Sequence, residues 1–385
     1  MTLGIYIQVP FCQSKCTYCN FHTGVFSSSL YSPYASAVCR EIAGHVRRLR
    51  AAGIEPVPAA DVDTVYVGGG TPSLLDAADL SGILESLRDS FAWAGGEVTL
   101  EADPETITDS RAAAWGKMGF NRASLGAQSF QDVELKAAGR MHRREDIPNA
   151  ARTLRAAGFE NISLDLIAGL PRQTAATWEE SLDRALEVRP EHFSVYLMEL
   201  DEDSRLGREA LAGGSRYSAR ELPDDDAMAA FYERACERLA TAGYQHYEIS
   251  NWALPGFRSQ HNLKYWRRQP YLGFGAGAHS FNGVQRWANP HDPAAYAAAV
   301  RQGSLPVEQL EALTSAQALD EEWFLGLRQL EGIDLARIEA EYNVSLAGRI
   351  ALLRESGLVE TDGSRVRLAA NRLAISNEVF VELMN

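Results

Sequence analysis

Three of the chain's five cysteines fall within eight residues, in Cys12-Gln13-Ser14-Lys15-Cys16-Thr17-Tyr18-Cys19. Thiolates are natural ligands for iron–sulfur clusters and for zinc, and Lys15 is placed to lower the pKa of its neighbours. A structural zinc site closes with four ligands, but only three thiols are local. Cys39 and Cys236 lie far along the chain on helical patterns and read as core thiols. Zinc would need His22 as its fourth ligand. A four-iron cluster on three thiolates would instead keep one iron open for a small molecule.

The elements that must position this loop repeat one pattern. A β-branched or aromatic run is followed by a polar or glycine-rich cluster and then a helical period, the βα unit of a parallel sheet. Six strands are expected, at Leu3 to Val9, Thr64 to Val67, Val98 to Glu101, Arg122 to Leu125, Ser163 to Ile167 and Phe193 to Leu197. Apolar stripes such as Tyr34, Val38, Ile42, Val46 and Leu49 mark the intervening helices. The cysteine loop, Gly68-Gly69-Gly70-Thr71-Pro72, Glu101-Ala102-Asp103-Pro104, Gly126-Ala127-Gln128 and the run from Asp165 to Pro171 all fall at or just beyond strand ends. In a (β/α) barrel those ends share one rim, where the site is built. The triple glycine admits close backbone approach to a ligand, and its amides are expected to bond a carboxylate. Glu101 is suited to bridging two ribose hydroxyls. Arg140 has a blander use, capping the helix that begins near Asp132.

The sequence divides into a (β/α) core at 1–200, a barrel-completing segment at 201–305 and a helical cap at 306–385. Residues 201 to 226 read as a mobile connection ending in an N-capped helix. A hairpin signal at 358 to 368 gives the cap a winged-helix-like character. With 7 Arg and no Lys against 14 Asp and Glu from 306 onward, and a net charge of −14 for all 385 residues, nucleic-acid binding is not expected. No window approaches the ~18 apolar residues of a membrane span, and no signal-peptide pattern opens the chain. A cytoplasmic setting is expected, where thiols remain free for metal.

The order of the rim phrases carries a resemblance. Tyr6-Ile7-Gln8-Val9-Pro10-Phe11-Cys12, Gly68-Gly69-Gly70-Thr71-Pro72-Ser73, Glu101-Ala102-Asp103-Pro104, Gly126-Ala127-Gln128-Ser129-Phe130, Gly139-Arg140-Met141-His142 and Asp165-Leu166-Ile167-Ala168-Gly169-Leu170-Pro171 run across most of the chain. Together they resemble the radical S-adenosylmethionine (SAM) branch that contains oxygen-independent coproporphyrinogen III oxidase and the HemW family of heme chaperones. The resemblance implies a partial (β/α)6 TIM-type barrel of the radical SAM kind with a small C-terminal helical, winged-helix-like domain. It also implies that Cys12, Cys16 and Cys19 hold a [4Fe-4S] cluster, and that Tyr6, Tyr18, Gly69, Gly70, Thr71, Glu101, Gln128, Arg140 and Asp165 line the SAM site.

Two features favour the chaperone side. The oxidase pattern has a further cysteine two positions past the last cluster ligand, where this chain has Phe21, and the H-N-x-x-Y-W phrase of the chaperones stands here as His261-Asn262-Leu263-Lys264-Tyr265-Trp266. Histidine is a standard axial ligand of heme iron. His261 is thus a candidate heme ligand, with Tyr265, Trp266, Tyr271 and Phe274 to cover the porphyrin and Arg267 and Arg268 to meet its propionates. The blander reading is a hydrogen-bonded structural histidine. The functional expectation is a heme carrier that hands its cargo to acceptor apoproteins, a reading compatible with a membrane-bound acceptor and with a homodimer. The alternatives are a radical SAM enzyme acting on a porphyrinogen and a zinc-stabilised interaction protein.

Overall fold

Alternation within the six expected strands decides which way each side chain faces. Ile5, Ile7, Val9, Val65, Val67, Val98, Leu100, Leu125, Ile162, Leu164, Leu166, Phe193 and Val195 are all buried in one apolar core. The residues between them are largely polar: Tyr6 and Gln8, Tyr66, Thr99 and Glu101, Arg122 and Ser124, Ser163 and Asp165, His192 and Ser194. Successive strand residues point to opposite faces, so one face packs on helices and the other forms a polar interior. A computed structural model of the chain, describing residues 2–57, 60–93, 95–304 and 306–384, shows this arrangement.

Strands β1 (Thr2–Val9), β2 (Asp61–Gly69), β3 (Glu97–Ala102), β4 (Arg122–Gln128), β5 (Asn161–Ala168) and β6 (His192–Leu197) are parallel neighbours in that order. Helices α1 (Tyr31–Ala51), α2 (Ala77–Ser90), α3 (Asp109–Met118), α4 (Asp132–Ala137) with α5 (Asp146–Ala156), and α6 (Ala175–Val188) make the crossovers. After β6 come α7 (Arg205–Leu211) and α8 (Asp225–Thr241), the latter capped by the Asp224 carboxylate on the Ala227 amide.

The sheet is larger than the six strands read from sequence. On one side β7 (Gln245–Glu248) and β8 (Asn251–Ala253) run antiparallel after β6. On the other, beyond α9 (Gln260–Trp266), β9 (Tyr271–Phe274) pairs parallel to β1 and leads into β10 (His279–Phe281), β11 (Gln285–Ala288), α10 (Pro293–Arg301) and β12 (Gln309–Ala312). These additions are three or four residues long, too short for periodicity to reveal. Among the described residues the twelve strands of this sheet end at β12 and β7 without joining, so the barrel is partial.

The C-terminal unit comprises α11 (Ser315–Gly326), β13 (Ile333–Asp334), α12 (Leu335–Tyr342), α13 (Ala347–Glu355), β14 (Val359–Asp362), β15 (Arg365–Leu368) and α14 (Ser376–Met384). Its β14–β15 hairpin lies where the sequence signalled one, and its core is built on Trp323, Leu327, Ile338, Ile350, Val359, Val366 and Phe380. Residue 305, where the sequence reading puts a boundary, lies outside the described residues.

Candidate cofactor site

The cysteine loop is tied down on three sides. Its own ends close through Cys12 N–H to the Gly24 carbonyl and Gly24 N–H to the Pro10 carbonyl, both at 2.9 Å. From the end of β2, the Gly70 amide donates to the Val9 carbonyl at 2.8 Å and the Thr71 amide to the Phe11 carbonyl at 2.7 Å. From the end of α4, the Ala138 carbonyl accepts the Thr17 amide at 2.9 Å, and the Leu206 amide on α7 reaches the Thr17 carbonyl at 2.8 Å. All three thiols remain partly exposed and free of disulfides. Burial pushes the Cys12 thiol up to about 11.

The glycine amides therefore do something other than the sequence reading expected. Those of Gly70 and Thr71 hold the cysteine loop, and that of Gly69 bonds a carboxylate of the protein itself, Glu101 Oε2 at 2.9 Å. The other Glu101 oxygen accepts from the Tyr66 hydroxyl at 2.8 Å. Burial lifts this carboxyl to about 7. Each carboxylate oxygen has a second lone pair, so Glu101 keeps acceptor capacity for hydroxyls.

Arg140 is the hub of the rim. Its guanidinium pairs with Asp103, donates to the Gly126 carbonyl at 2.8 Å, and approaches the Cys16 sulfur at 3.5 Å. Asp103 also accepts from the Thr71 hydroxyl at 3.0 Å. The cation beside the thiols is thus Arg140. Lys15 instead donates to the Phe21 carbonyl at 3.4 Å. Arg140 does not cap the helix near Asp132 by its side chain. Gln128 has φ +65° at a register shift in β4, a strained position of the kind found where a side chain is held for function. A Cβ on Gly126 would stand 3.0 Å from both Gln128 Nε2 and Arg140 Nη2. Asp165 lies deeper, accepting from the Ser124 hydroxyl at 3.1 Å, with its pKa raised by burial. Tyr18 is half-buried on the loop, and Tyr6 donates to Gln8 Oε1 at 2.7 Å.

The structure gathers Cys16, Thr71, Asp103, Gly126, Gln128 and Arg140 into one group, with Gly69, Tyr66 and Glu101 next to it. Asp103 and Tyr66 were not singled out from sequence. Their signal was the inward alternation of β2 and the phrase that Asp103 shares with Glu101. Next to Gly69, where a Cβ would stand 2.6 Å from Gln8 Nε2, a cavity of about 330 Å³ is lined by Tyr6, Gln8, Tyr265, Tyr271, Gly277 and His279.

His261 lies inside the barrel toward the start of the strands, its ring centroid 5.2 Å from that of Tyr66 and 6.3 Å from that of Tyr6. Its Nδ1 is bonded to the Thr64 hydroxyl at 2.9 Å and its Nε2 to the Tyr265 hydroxyl at 2.8 Å. Glu97, the first residue of β3, receives the amides of Gln260 and His261, and the Lys264 ammonium pairs with Asp63 at 2.7 Å. Helix α9 therefore closes the barrel floor. Both ring nitrogens of His261 are thus hydrogen-bonded, and one of these bonds would have to break before the imidazole could meet heme iron. Of the aromatic residues near it, Tyr271 and Phe274 are buried in the sheet, while Tyr265 and Tyr271 line the cavity. Arg267 and Arg268 meet Glu331, Glu321 and Glu322 of the C-terminal unit.

The donor set fits an iron–sulfur cluster. Three thiols on one loop, all free and partly exposed, are a set of cluster ligands. A structural zinc closes with four ligands, one more than the thiols this loop supplies. His22, the zinc reading's fourth ligand, is instead stacked on His291.

A thiol triad with an arginine at its edge, set on the rim of a partial parallel barrel, is the arrangement of a radical SAM protein, and residues 6–185 match the family model of the Radical SAM superfamily. Membership implies a [4Fe-4S] cluster and SAM. Residues 313–371 match the model of the HemN C-terminal domain. Heme chaperone HemW of Bacillus subtilis (strain 168) is 32% identical over 381 residues, 97% of each chain. The HemW of Synechocystis is 36% identical, covering 93% of this chain and 85% of its own, and that of Mycobacterium tuberculosis (strain ATCC 25618 / H37Rv) is 34% identical over 99% and 94%. The chain belongs to the HemW family of radical SAM proteins. In fold it matches the coproporphyrinogen III oxidase HemN of Escherichia coli with a TM-score of 0.82 at 24% identity, covering 100% of this chain and 90% of that one. Among the described residues no helix is long and apolar enough to cross a membrane.

Proposed function

We propose that this protein carries heme and delivers it to acceptor apoproteins, with a [4Fe-4S] cluster on Cys12, Cys16 and Cys19. The observation that carries the reading is the end-to-end similarity to HemW of Bacillus subtilis, 97% of both chains. SAM would lie along the rim, against Tyr6, Tyr18, Gly69, Gly70, Thr71, Glu101, Gln128, Arg140 and Asp165. When bound, cluster and SAM supply one-electron chemistry. The protein's own residues hold the loop that ligates the cluster, place the Arg140 charge beside Cys16, and offer the Glu101 carboxylate to ribose hydroxyls. Phe21, 67% exposed, occupies the position of the oxidase's additional cysteine.

The test is an anaerobic hemin titration of cluster-reconstituted protein, followed by addition of a heme-free acceptor hemoprotein. Saturation near one heme per chain and transfer to the acceptor are expected. No saturable binding, together with 5′-deoxyadenosine formation when a porphyrinogen is added, would overturn the carrier in favour of an enzyme.

A further inference from the structure

Five of the eight histidines are committed to hydrogen bonds. His45 bonds the Ile42 carbonyl, His142 that of Ala127 and His246 that of Ile249; His192 spans Ser163 and Tyr247, and His261 spans Thr64 and Tyr265. The other three, His22, His279 and His291, have no side-chain hydrogen bond among the described residues, and they lie close together on the β1–β9–β10 side of the barrel mouth. The rings of His22 and His291 stack with centroids 3.6 Å apart and planes 24° apart. His291 Nδ1 is buried without a partner and faces Gly277, where a Cβ would stand only 3.0 Å from it. His279, two residues on, lines the cavity with Tyr6 and Gln8. Burial and the nearness of His291 hold both His22 and His279 below the ordinary imidazole pKa, in the neutral form that ligates metal.

The surroundings of His22 complete a recognisable set. It follows Cys19 by three residues and stands beside Phe21 and near Val25, 67% and 62% exposed on the same loop. The Lys15 ammonium reaches the Phe21 carbonyl at 3.4 Å and makes no ion pair among the described residues. An unpartnered imidazole, exposed apolar side chains and an unpaired cation match an iron porphyrin in its metal, its face and its propionates.

Resting on the carrier reading above, we infer that His22 is the axial ligand of the carried heme, with Phe21 and Val25 against the porphyrin and Lys15 at a propionate. His291 is a positioning residue. Its ring is in van der Waals contact with that of His22, which leaves no gap for an iron between the two, so it orients His22 from behind. His261, bonded at both nitrogens, stays in the barrel floor.

The test uses the full chain, cluster-reconstituted under anaerobic conditions, with hemin as probe. His22→Ala should weaken hemin binding about tenfold or more and abolish the imidazole-ligated heme spectrum, while cluster absorbance and SAM affinity stay at wild-type level. Added imidazole should restore that spectrum. His291→Phe, which keeps the stack, should bind as wild type does, and His291→Ala should bind more weakly. His261→Ala should keep the wild-type heme spectrum. An unchanged titration in His22→Ala, or loss of the spectrum in His291→Phe, overturns this assignment alone. Failure of the wild-type protein to bind hemin overturns the carrier reading beneath it.

Discussion

Gly70 lies directly against Cys12: a Cβ at this glycine would stand 2.9 Å from the Cys12 sulfur and 2.5 Å from the Phe11 carbonyl oxygen. The second contact is with backbone, which cannot swing aside, so the β2 rim and the cysteine loop fit only with glycine here. Gly70→Ala is expected to displace the loop and sharply reduce iron and sulfide content after anaerobic reconstitution, with little change in helix content. Gly82 in α2 is the control. Its Cβ would meet only the Cys39 sulfur at 3.9 Å, so Gly82→Ala should keep the cluster and raise stability by up to about 1 kcal/mol. A full iron complement in Gly70→Ala would refute the fit.

Arg140 and Asp103 form the ion pair that joins the rim to the thiols, with side chains 8% and 21% exposed. Removing one partner of a buried pair leaves the other charge uncompensated, at about 3–5 kcal/mol. Arg140→Ala should lower stability by an amount near that range and also weaken SAM binding. Arg140→Lys keeps the charge but cannot reach Asp103, Gly126 and Cys16 together, because it lacks the planar fork. It should recover part of the stability and little of the SAM affinity. Chemical denaturation and equilibrium SAM binding on the same samples separate the two effects. Equal recovery of both by lysine would show that charge alone matters.

Much of this site is legible in the amino-acid sequence. The cysteine spacing and the clusters at strand ends need only short-range pattern, and the six parallel strands stand where the pattern places them. The short antiparallel additions are not legible, because β8 and β10 have three residues each and owe their pairing to neighbours distant in sequence. Arg140 cannot be tied to Cys16 from sequence, since 124 residues separate them. The H-N-x-x-Y-W phrase admits two readings for a physical reason. Aromatic and histidine residues suit a porphyrin face and a buried plug equally well, and the partners that decide the matter, Thr64 and Glu97, lie on other strands.

Glu41 gives a pH dependence remote from the rim. The carboxylate on α1 accepts from the Tyr296 hydroxyl at 2.6 Å, the Asn289 amide at 2.8 Å and the Gly275 amide at 2.9 Å, yet burial still raises it from 4.5 to about 7. The folded form thus binds this proton more tightly than the unfolded chain. Its contribution to stability is fully present below 4.5 and is lost as pH rises through about 7. The stability of wild type relative to Glu41→Gln should therefore fall between pH 5 and about 7 by a few kcal/mol and level off above that. Urea unfolding of both proteins across this range measures the difference. A constant difference, or one that grows with pH, would contradict the burial account.

Arg268 joins the barrel sheet to the C-terminal unit from a strained backbone position, φ +47°. Its side chain, 9% exposed, donates to Glu321 at 3.0 Å, Glu322 at 3.2 Å and the Tyr342 hydroxyl at 2.9 Å, and it lies over the Phe281 ring of β10. A residue with these partners clamps two parts of the fold. Because the acidic partners are 22% and 10% exposed, water compensates in part, and Arg268→Ala should cost about 2–3 kcal/mol. The loss should be local: faster proteolysis near the junction of β12 with α11, with the cluster intact and the hemin titration unchanged. Arg267→Ala, whose side chain is 43% exposed on Glu331, should have a much smaller effect. Weakened hemin binding in Arg268→Ala, with the junction still protected from protease, would return Arg268 to the porphyrin and place heme on the α9 side of the barrel.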